Sequence, residues 1–198
     1  MRINRVSPLN PMPSDIPGKG HPGGFGTPRK FDIHTGIDLY CENNADVFAI
    51  EHGTVVAIVG FTGPSADSAW WNDTDAIIVK SKKDGKYIVY GEVIASCNVG
   101  EEVKAGNLIG RVVTVLKKDK GLPMNMLHLE YYDTDFDLDP VVWKLDESQP
   151  ETLLHPGPLL GLYPLIAETP RPYQEIVFGS TPVGIEPPFS SHYYKRKI

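Results

Sequence analysis

Short runs of β-forming apolar residues, set off by turn residues, pattern the middle of this chain. Leu127, Leu129 and Tyr131 alternate with Met126, His128 and Glu130, which predicts a strand with one apolar face and one face carrying His128. Ile77 to Val79 and Tyr87 to Tyr90 flank Lys83-Asp84-Gly85, a good turn sequence, and predict a hairpin. From Ala45 to Val59 the residues Val47, Phe48, Ile50, Thr54, Val55, Val56, Ile58 and Val59 form a run broken at His52-Gly53. Two strands joined by a tight turn are expected there, with His52 as a turn residue. Val99 to Val113 repeats the theme, with Val103, a Lys104-Ala105-Gly106 turn, then Leu108, Ile109, Val112 and Val113. This weak internal similarity predicts two β-hairpin motifs that close a sandwich or barrel, so the expected fold class is all-β.

The ends of the chain are patterned differently. Residues 1 to 30 hold Pro8, Pro11, Pro13, Pro17, Pro22 and Pro28 with a cluster of glycines, and nine of the 18 prolines lie between Asp146 and Ile198. Such composition resists regular helix and sheet. The expected organisation is an extended N-terminal arm over 1–22, a β domain over 23–145 and a proline-rich extension over 146–198, ending in the basic Tyr193-Tyr194-Lys195-Arg196-Lys197-Ile198. The arms are expected to contact protein partners in a larger assembly, and His21 is expected to be a solvated histidine.

Two segments bring in chemistry, His34-Thr35-Gly36-Ile37-Asp38 and the strand carrying His128. Neutral imidazole and carboxylate oxygen are good zinc ligands, and a catalytic zinc usually takes three protein groups plus a water. In a straight strand His34 and Asp38 would lie ~13 Å apart. Two ligands of one zinc, each bound at ~2 Å, require the chain to fold back between them. Gly36 sits at the middle, with the conformational freedom to allow it.

The ordered series around these segments resembles the lysostaphin-type zinc endopeptidases, which cut peptide cross-links in bacterial cell walls. It runs from Gly24-Phe25-Gly26 and Pro28-Arg29 through His34-Thr35-Gly36-Ile37-Asp38-Leu39, Val47-Phe48-Ala49 and Gly53-Thr54-Val55. It continues through the strand Tyr87 to Tyr90 with Gly91, then Gly100-Glu101-Glu102-Val103-Lys104-Ala105-Gly106 and Ile109-Gly110, and closes at Leu127-His128-Leu129-Glu130. The resemblance implies a duplicated hybrid motif, a barrel-sandwich of β-hairpins, with zinc held by His34, Asp38 and His128. It also implies two non-ligand histidines near the metal, and here the chain departs, with Glu92 after Tyr90-Gly91 and Met126 two residues before His128. A thioether has no exchangeable proton and is a weak acceptor, so Met126 cannot act as a base. Glu92 can manage the proton of an activated water. The alternative is that Glu92 is a solvated strand-end residue and the site holds metal without turnover, as a structural or wall-peptide-binding module of a virion or other assembly. His155-Pro156-Gly157-Pro158-Leu159-Leu160 resembles the Asp-Pro-containing segment that ends many family domains, with His replacing the acidic residue.

Composition narrows the choice further. A chain of 198 residues with 41% hydrophobic content supplies an ordinary core. The net charge of −6 lacks the basic excess of a protein that binds nucleic acid through phosphates. No lysine stands in the Met-Lys-Met or Asp-Lys-Ala setting of carrier domains that share such hairpins. Cys41 and Cys97 are too few for a disulfide scaffold and are expected to be buried or free thiols. The first thirty residues show no apolar signal core, and no stretch approaches the ~20 apolar residues of a membrane span. A phage product, in the virion or released at lysis, is one expectation that follows. Another is a mature form numbered from its own Met.

Between the hairpins, residues 61–75 read as a loop holding Trp70 and Trp71. They are candidates for a substrate-binding wall, or at least one packs back on the core. Asp133, Asp135, Asp137 and Asp139 lack the Gly and terminal Glu spacing of an EF-hand and are expected to form a solvated loop.

Overall fold

The structure, a computed structural model, describes residues 5–118 and 124–161. The basic end of the chain lies outside these residues. Eleven strands carry the described fold: β1 (Asp32–Ile33), β2 (Ile37–Tyr40), β3 (Asp46–Phe48), β4 (Gly53–Thr62), β5 (Thr74–Ser81), β6 (Tyr87–Ala95), β7 (Glu102–Val103), β8 (Leu108–Val112), β9 (Met126–Tyr132), β10 (Trp143–Lys144) and β11 (Leu153–Leu154). The helical content of the described residues is two 3₁₀ turns, Pro64–Ala66 and Gly157–Leu160. The fold is all-β, as the residue pattern predicts.

One antiparallel path, β11-β9-β6-β5-β4-β7, runs through the molecule, with β2 on β9 and β8 joining β3 to β6. A separate two-stranded ribbon pairs β1 with β10, setting Asp32 opposite Lys144 and Ile33 opposite Trp143. β5 and β6 form the predicted hairpin, and Gly85 takes up its turn with φ 74°. Both faces of β5, β6 and β9 are buried, so the side chains of Ile77, Ile78, Val79, Ile88, Val89, Tyr90, Leu127 and Leu129 fill one continuous core. Apolar side chains on both faces of these strands drive that burial.

The two segments expected to be hairpins pair otherwise. β3 pairs with β8, while β4 pairs with β5 and β7, so each half of the internal similarity finds its partner in the other half. The crossing between β3 and β4 is tied from outside, with the Asn107 carbonyl accepting from Ala49 N–H and the Ala49 carbonyl from Gly106 N–H. Gly53 lies so close to β5 that a Cβ there would stand 2.6 Å from the Lys80 carbonyl oxygen. His52 is a turn residue whose Nδ1 accepts from Ala105 N–H.

Parts of the proline-rich stretches are built into the same core. Leu9 is buried, the Pro8 carbonyl accepts from Phe48 N–H, and β11 pairs with β9. The acidic loop after β9 exposes Asp135, Asp137 and Asp139, while Phe136 between them stacks on Tyr132 at 3.9 Å. Cys41 and Cys97 are free thiols, each pushed up to about 11 by burial.

Tyr90 ties the core to the β3–β4 crossing, because its buried hydroxyl accepts from Ile50 N–H at 2.9 Å. Tyr90→Phe leaves that buried N–H without its acceptor, a loss of about 1–3 kcal/mol. Urea unfolding is expected to show a lower midpoint with an unchanged slope.

Candidate metal centre

Register brings the three predicted ligands together. β2 and β9 run antiparallel with Asp38 directly opposite His128, and on the other edge of β9 Gly91 stands opposite His128. His34 follows β1, and the chain bends at Thr35-Gly36 before β2 begins. Gly36 is needed for closeness more than for unusual backbone freedom. A Cβ there would meet His128 Nε2 at 2.6 Å and the Leu129 carbonyl oxygen at 2.7 Å.

The donor atoms converge inside the protein. Asp38 Oδ1 lies 2.8 Å from His128 Nδ1 and 3.1 Å from His34 Nε2, and the two ring nitrogens are 3.1 Å apart. All three residues are buried. Ligands at ~2.0–2.1 Å around a tetrahedral zinc would be about 3.3 Å from one another, so a shift of a few tenths of an ångström seats the ion. Two imidazole nitrogens and a carboxylate oxygen on three corners fit a metal that keeps a fourth position for another ligand.

A surrounding layer orients each donor. His34 Nδ1 stands 3.2 Å from the Gly24 carbonyl oxygen, which can only accept, so Nδ1 carries the proton and Nε2 turns its lone pair inward. Arg29 Nη2 donates to Asp38 Oδ2 at 2.9 Å and to the Pro22 carbonyl at 2.6 Å. His128 Nε2 donates to Glu130 Oε1 at 3.0 Å; the same oxygen accepts from Thr35 Oγ1 at 2.6 Å, and Glu130 Oε2 accepts from the Tyr132 hydroxyl at 3.0 Å. Tyr132 is held in turn by Val141 N–H, which donates to its oxygen.

These contacts set the charges. Burial pulls His34 down to about 4 against the attraction of Asp38. Burial also opposes charge on His128, but its bonds to Asp38 and Glu130 outweigh that and raise it to about 10. Burial works against ionised Asp38, yet His34, His128 and Arg29 hold its carboxyl well below the usual range. The proton on His128 Nδ1 therefore bridges to Asp38, and a metal held by these residues would take that proton's place.

Residues 32–140 of this sequence match the model of Peptidase family M23. The chain belongs to that family. No curated protein sequence matches it. Among solved structures, the catalytic domain of the antimicrobial peptidase lysostaphin from Staphylococcus simulans matches at 19% identity and a TM-score of 0.51, covering 77% of this chain and 95% of that one. A longer lysostaphin structure from the same organism matches at 21% identity and a TM-score of 0.46, over 71% of this chain and 51% of that one. A Pseudomonas aeruginosa protein assigned to peptidase M23 matches at 14% identity and a TM-score of 0.46, over 82% and 52%. The chain thus spans about half the length of the latter two, and the likeness to the lysostaphin catalytic domain is one of fold.

Glu92 enters the same cavity of the M23 chain as His34, Asp38 and His128. Between Ile77↔Tyr90 and Asp75↔Val93 two residues, Gly91 and Glu92, oppose the single Ala76, and Glu92 takes φ 62° in this bulge. A left-handed backbone at a non-glycine residue in a strand costs of order 1–3 kcal/mol and marks a site that the surroundings over-determine. Glu92 is buried, not a solvated strand-end residue. Met126 is also buried, but it pairs with Tyr40 and is not among the residues lining the cavity. Trp71 packs with Val115 and Leu116, and Trp70 is 47% exposed with its ring against Trp71. Neither tryptophan lines the metal cavity.

Sequence reasoning missed Arg29, Asp32, Thr35, Phe61, Glu130 and Trp143, all of which line that cavity. Glu130 was legible as a same-face neighbour of His128 on a period-two strand. Arg29 belongs to the Pro28-Arg29 pair of the resembling series, which gave it no role, and Trp143 had no local signal; the folded backbone brings both to the cavity. His21 is half-buried, with its ring edge on Tyr40, and its Nδ1 accepts from Gly23 N–H.

Two substitutions test this geometry. Gly36→Ala drives a methyl into His128 and is expected to weaken Zn²⁺ binding, measured by competition with a chelating dye, by at least ~10-fold. Glu130→Gln keeps the volume but disturbs the acceptor of His128, and a loss of about 10–100-fold in Zn²⁺ affinity is expected in the same assay.

Proposed function

We propose that this M23 chain is a zinc-dependent endopeptidase acting on the cross-link peptides of bacterial cell walls. The observation that supports it is the convergence of His34 Nε2, Asp38 Oδ1 and His128 Nδ1 in one cavity that Glu92 also lines. A zinc ion held by these three residues would polarise the scissile carbonyl and supply an activated water.

The chain's own residues carry the remaining work. Glu92 accepts the proton of the attacking water at its carboxylate and returns it to the nitrogen of the breaking C–N bond, so that the amine leaves neutral. Its strained backbone holds the carboxylate in the cavity in advance of substrate. Arg29 keeps Asp38 ionised and oriented through Oδ2, and Glu130 holds the His128 ring from its far side. Phe61 lies against His128 with ring centroids 5.3 Å apart. Gly91 leaves room for Phe61, since a Cβ there would meet the Phe61 ring at 2.6 Å. Met126 plays no part in this scheme.

No helix among the described residues is long and apolar enough to cross a membrane. Peptide release from purified bacterial cell walls of several cross-link types tests the assignment. The zinc-loaded parent is expected to release peptides, His128→Ala to lose both metal and release, and Glu92→Gln to keep zinc with release reduced by about 10²–10⁴-fold. A parent with one tightly held zinc and no release would instead identify a metal-holding module of a virion or other assembly.

A further inference from the structure

Asp32 is the buried charge in this cavity that the mechanism leaves without a task. It stands two residues before His34, on β1, and is 8% exposed. Its Oδ1 is buried and makes no hydrogen bond within the protein. It lines the cavity that holds His34, Asp38, His128 and Glu92. A buried carboxylate oxygen without a donor is costly, and a site that keeps one is completed by something that enters it.

The chemistry of the missing donor follows from charge. Four carboxylates (Asp32, Asp38, Glu92 and Glu130) and one guanidinium (Arg29) line the cavity. A divalent cation on the three ligands still leaves a formal excess of one negative charge. Arg29 donates to Asp38 and to the Pro22 carbonyl, and its charge acts on Asp32 without a hydrogen bond to Oδ1. Trp143, opposite Ile33 in the register of the β1–β10 ribbon, also lines the cavity and offers an aromatic surface of the kind that favours a cation.

We propose that Asp32 is a specificity determinant that binds a free ammonium of the substrate peptide beside the metal centre. This rests on the peptidase assignment above and adds the class of residue it takes, one carrying either a side-chain amine or a free N-terminus. A charge-assisted hydrogen bond in a desolvated site separates such a peptide from its acetylated form by about tenfold or more.

The tripeptide Ala-Lys-Ala in its four acetylation states, with the α-amine and the ε-amine each free or blocked, tests this by calorimetric titration into the zinc-loaded protein. Blocking one of the two amines is expected to weaken binding at least ~10-fold in the parent, and which one identifies the source of the ammonium. In Asp32→Asn the preference is expected to shrink to less than about threefold, while Asp32→Glu restores part of it. Unchanged zinc stoichiometry in both variants shows that the centre is intact. Equal binding of all four peptides by the parent, no binding of any, or a preference that survives Asp32→Asn overturns the proposal. Peptide release is not needed for this readout. Discrimination without release from cell walls would therefore retain the ammonium site and remove the peptidase assignment, and release without discrimination would do the reverse.

Discussion

Everything near the centre depends on keeping one buried carboxylate, Asp38, ionised. Taking a charge out of water is expensive unless it is paired and fully bonded. Here Oδ1 faces two imidazoles and Oδ2 faces a guanidinium. That requirement explains why an arginine from the segment before β1 is bent back to Pro22 and Asp38, and why Gly36 leaves space for the His128 ring. The same pairing holds His34 Nε2 and His128 Nδ1 at hydrogen-bond distance from Oδ1, an arrangement that could hold a cation.

The second layer works by the same rule, one bond further out. Glu130 is buried and would be destabilising alone, but it accepts from His128, Thr35 and Tyr132 at once. Tyr132 reaches Val141 and stacks on Phe136, which ties the centre to the acidic loop and to the wall formed by residues 141–143. A shift in that loop would be felt at the His128 ring through two hydrogen bonds. Buried polar networks of this kind hold a geometry because every member is costly to leave unpaired. Asp32 lines the same cavity but stands outside this network, with a buried Oδ1 that makes no hydrogen bond.

Glu92, at a position where the resemblance leads one to expect a histidine, carries a structural signature. A glutamate in a β-bulge with positive φ is strained, and strain of this kind is kept where the side chain's direction matters. Met126 differs, since it is buried opposite Tyr40 in the β2–β9 register and does not line the cavity. The two departures from the expected histidines are thus different in kind. One keeps an ionisable group at the cavity, and the other removes one from a position that the cavity does not use.

Local pattern was enough for much of this protein. Alternation along Met126–Tyr131 places His128 and Glu130 on one face, the Asp84-Gly85 turn marks the β5–β6 hairpin, and the spacing of His34, Gly36 and Asp38 demands a bend. These are properties of a few consecutive residues, and backbone stereochemistry reads them directly. Pairing was not legible. That β3 finds β8 and β4 finds β7, that Glu92 sits in a bulge, that Trp71 joins Leu116 and not the cavity, and that Arg29, Asp32 and Trp143 meet the metal ligands all depend on contacts between distant segments. An apolar strand is equally satisfied by many partners until the whole core closes. Only the closed fold decides which edge it joins and which charges it must then accommodate.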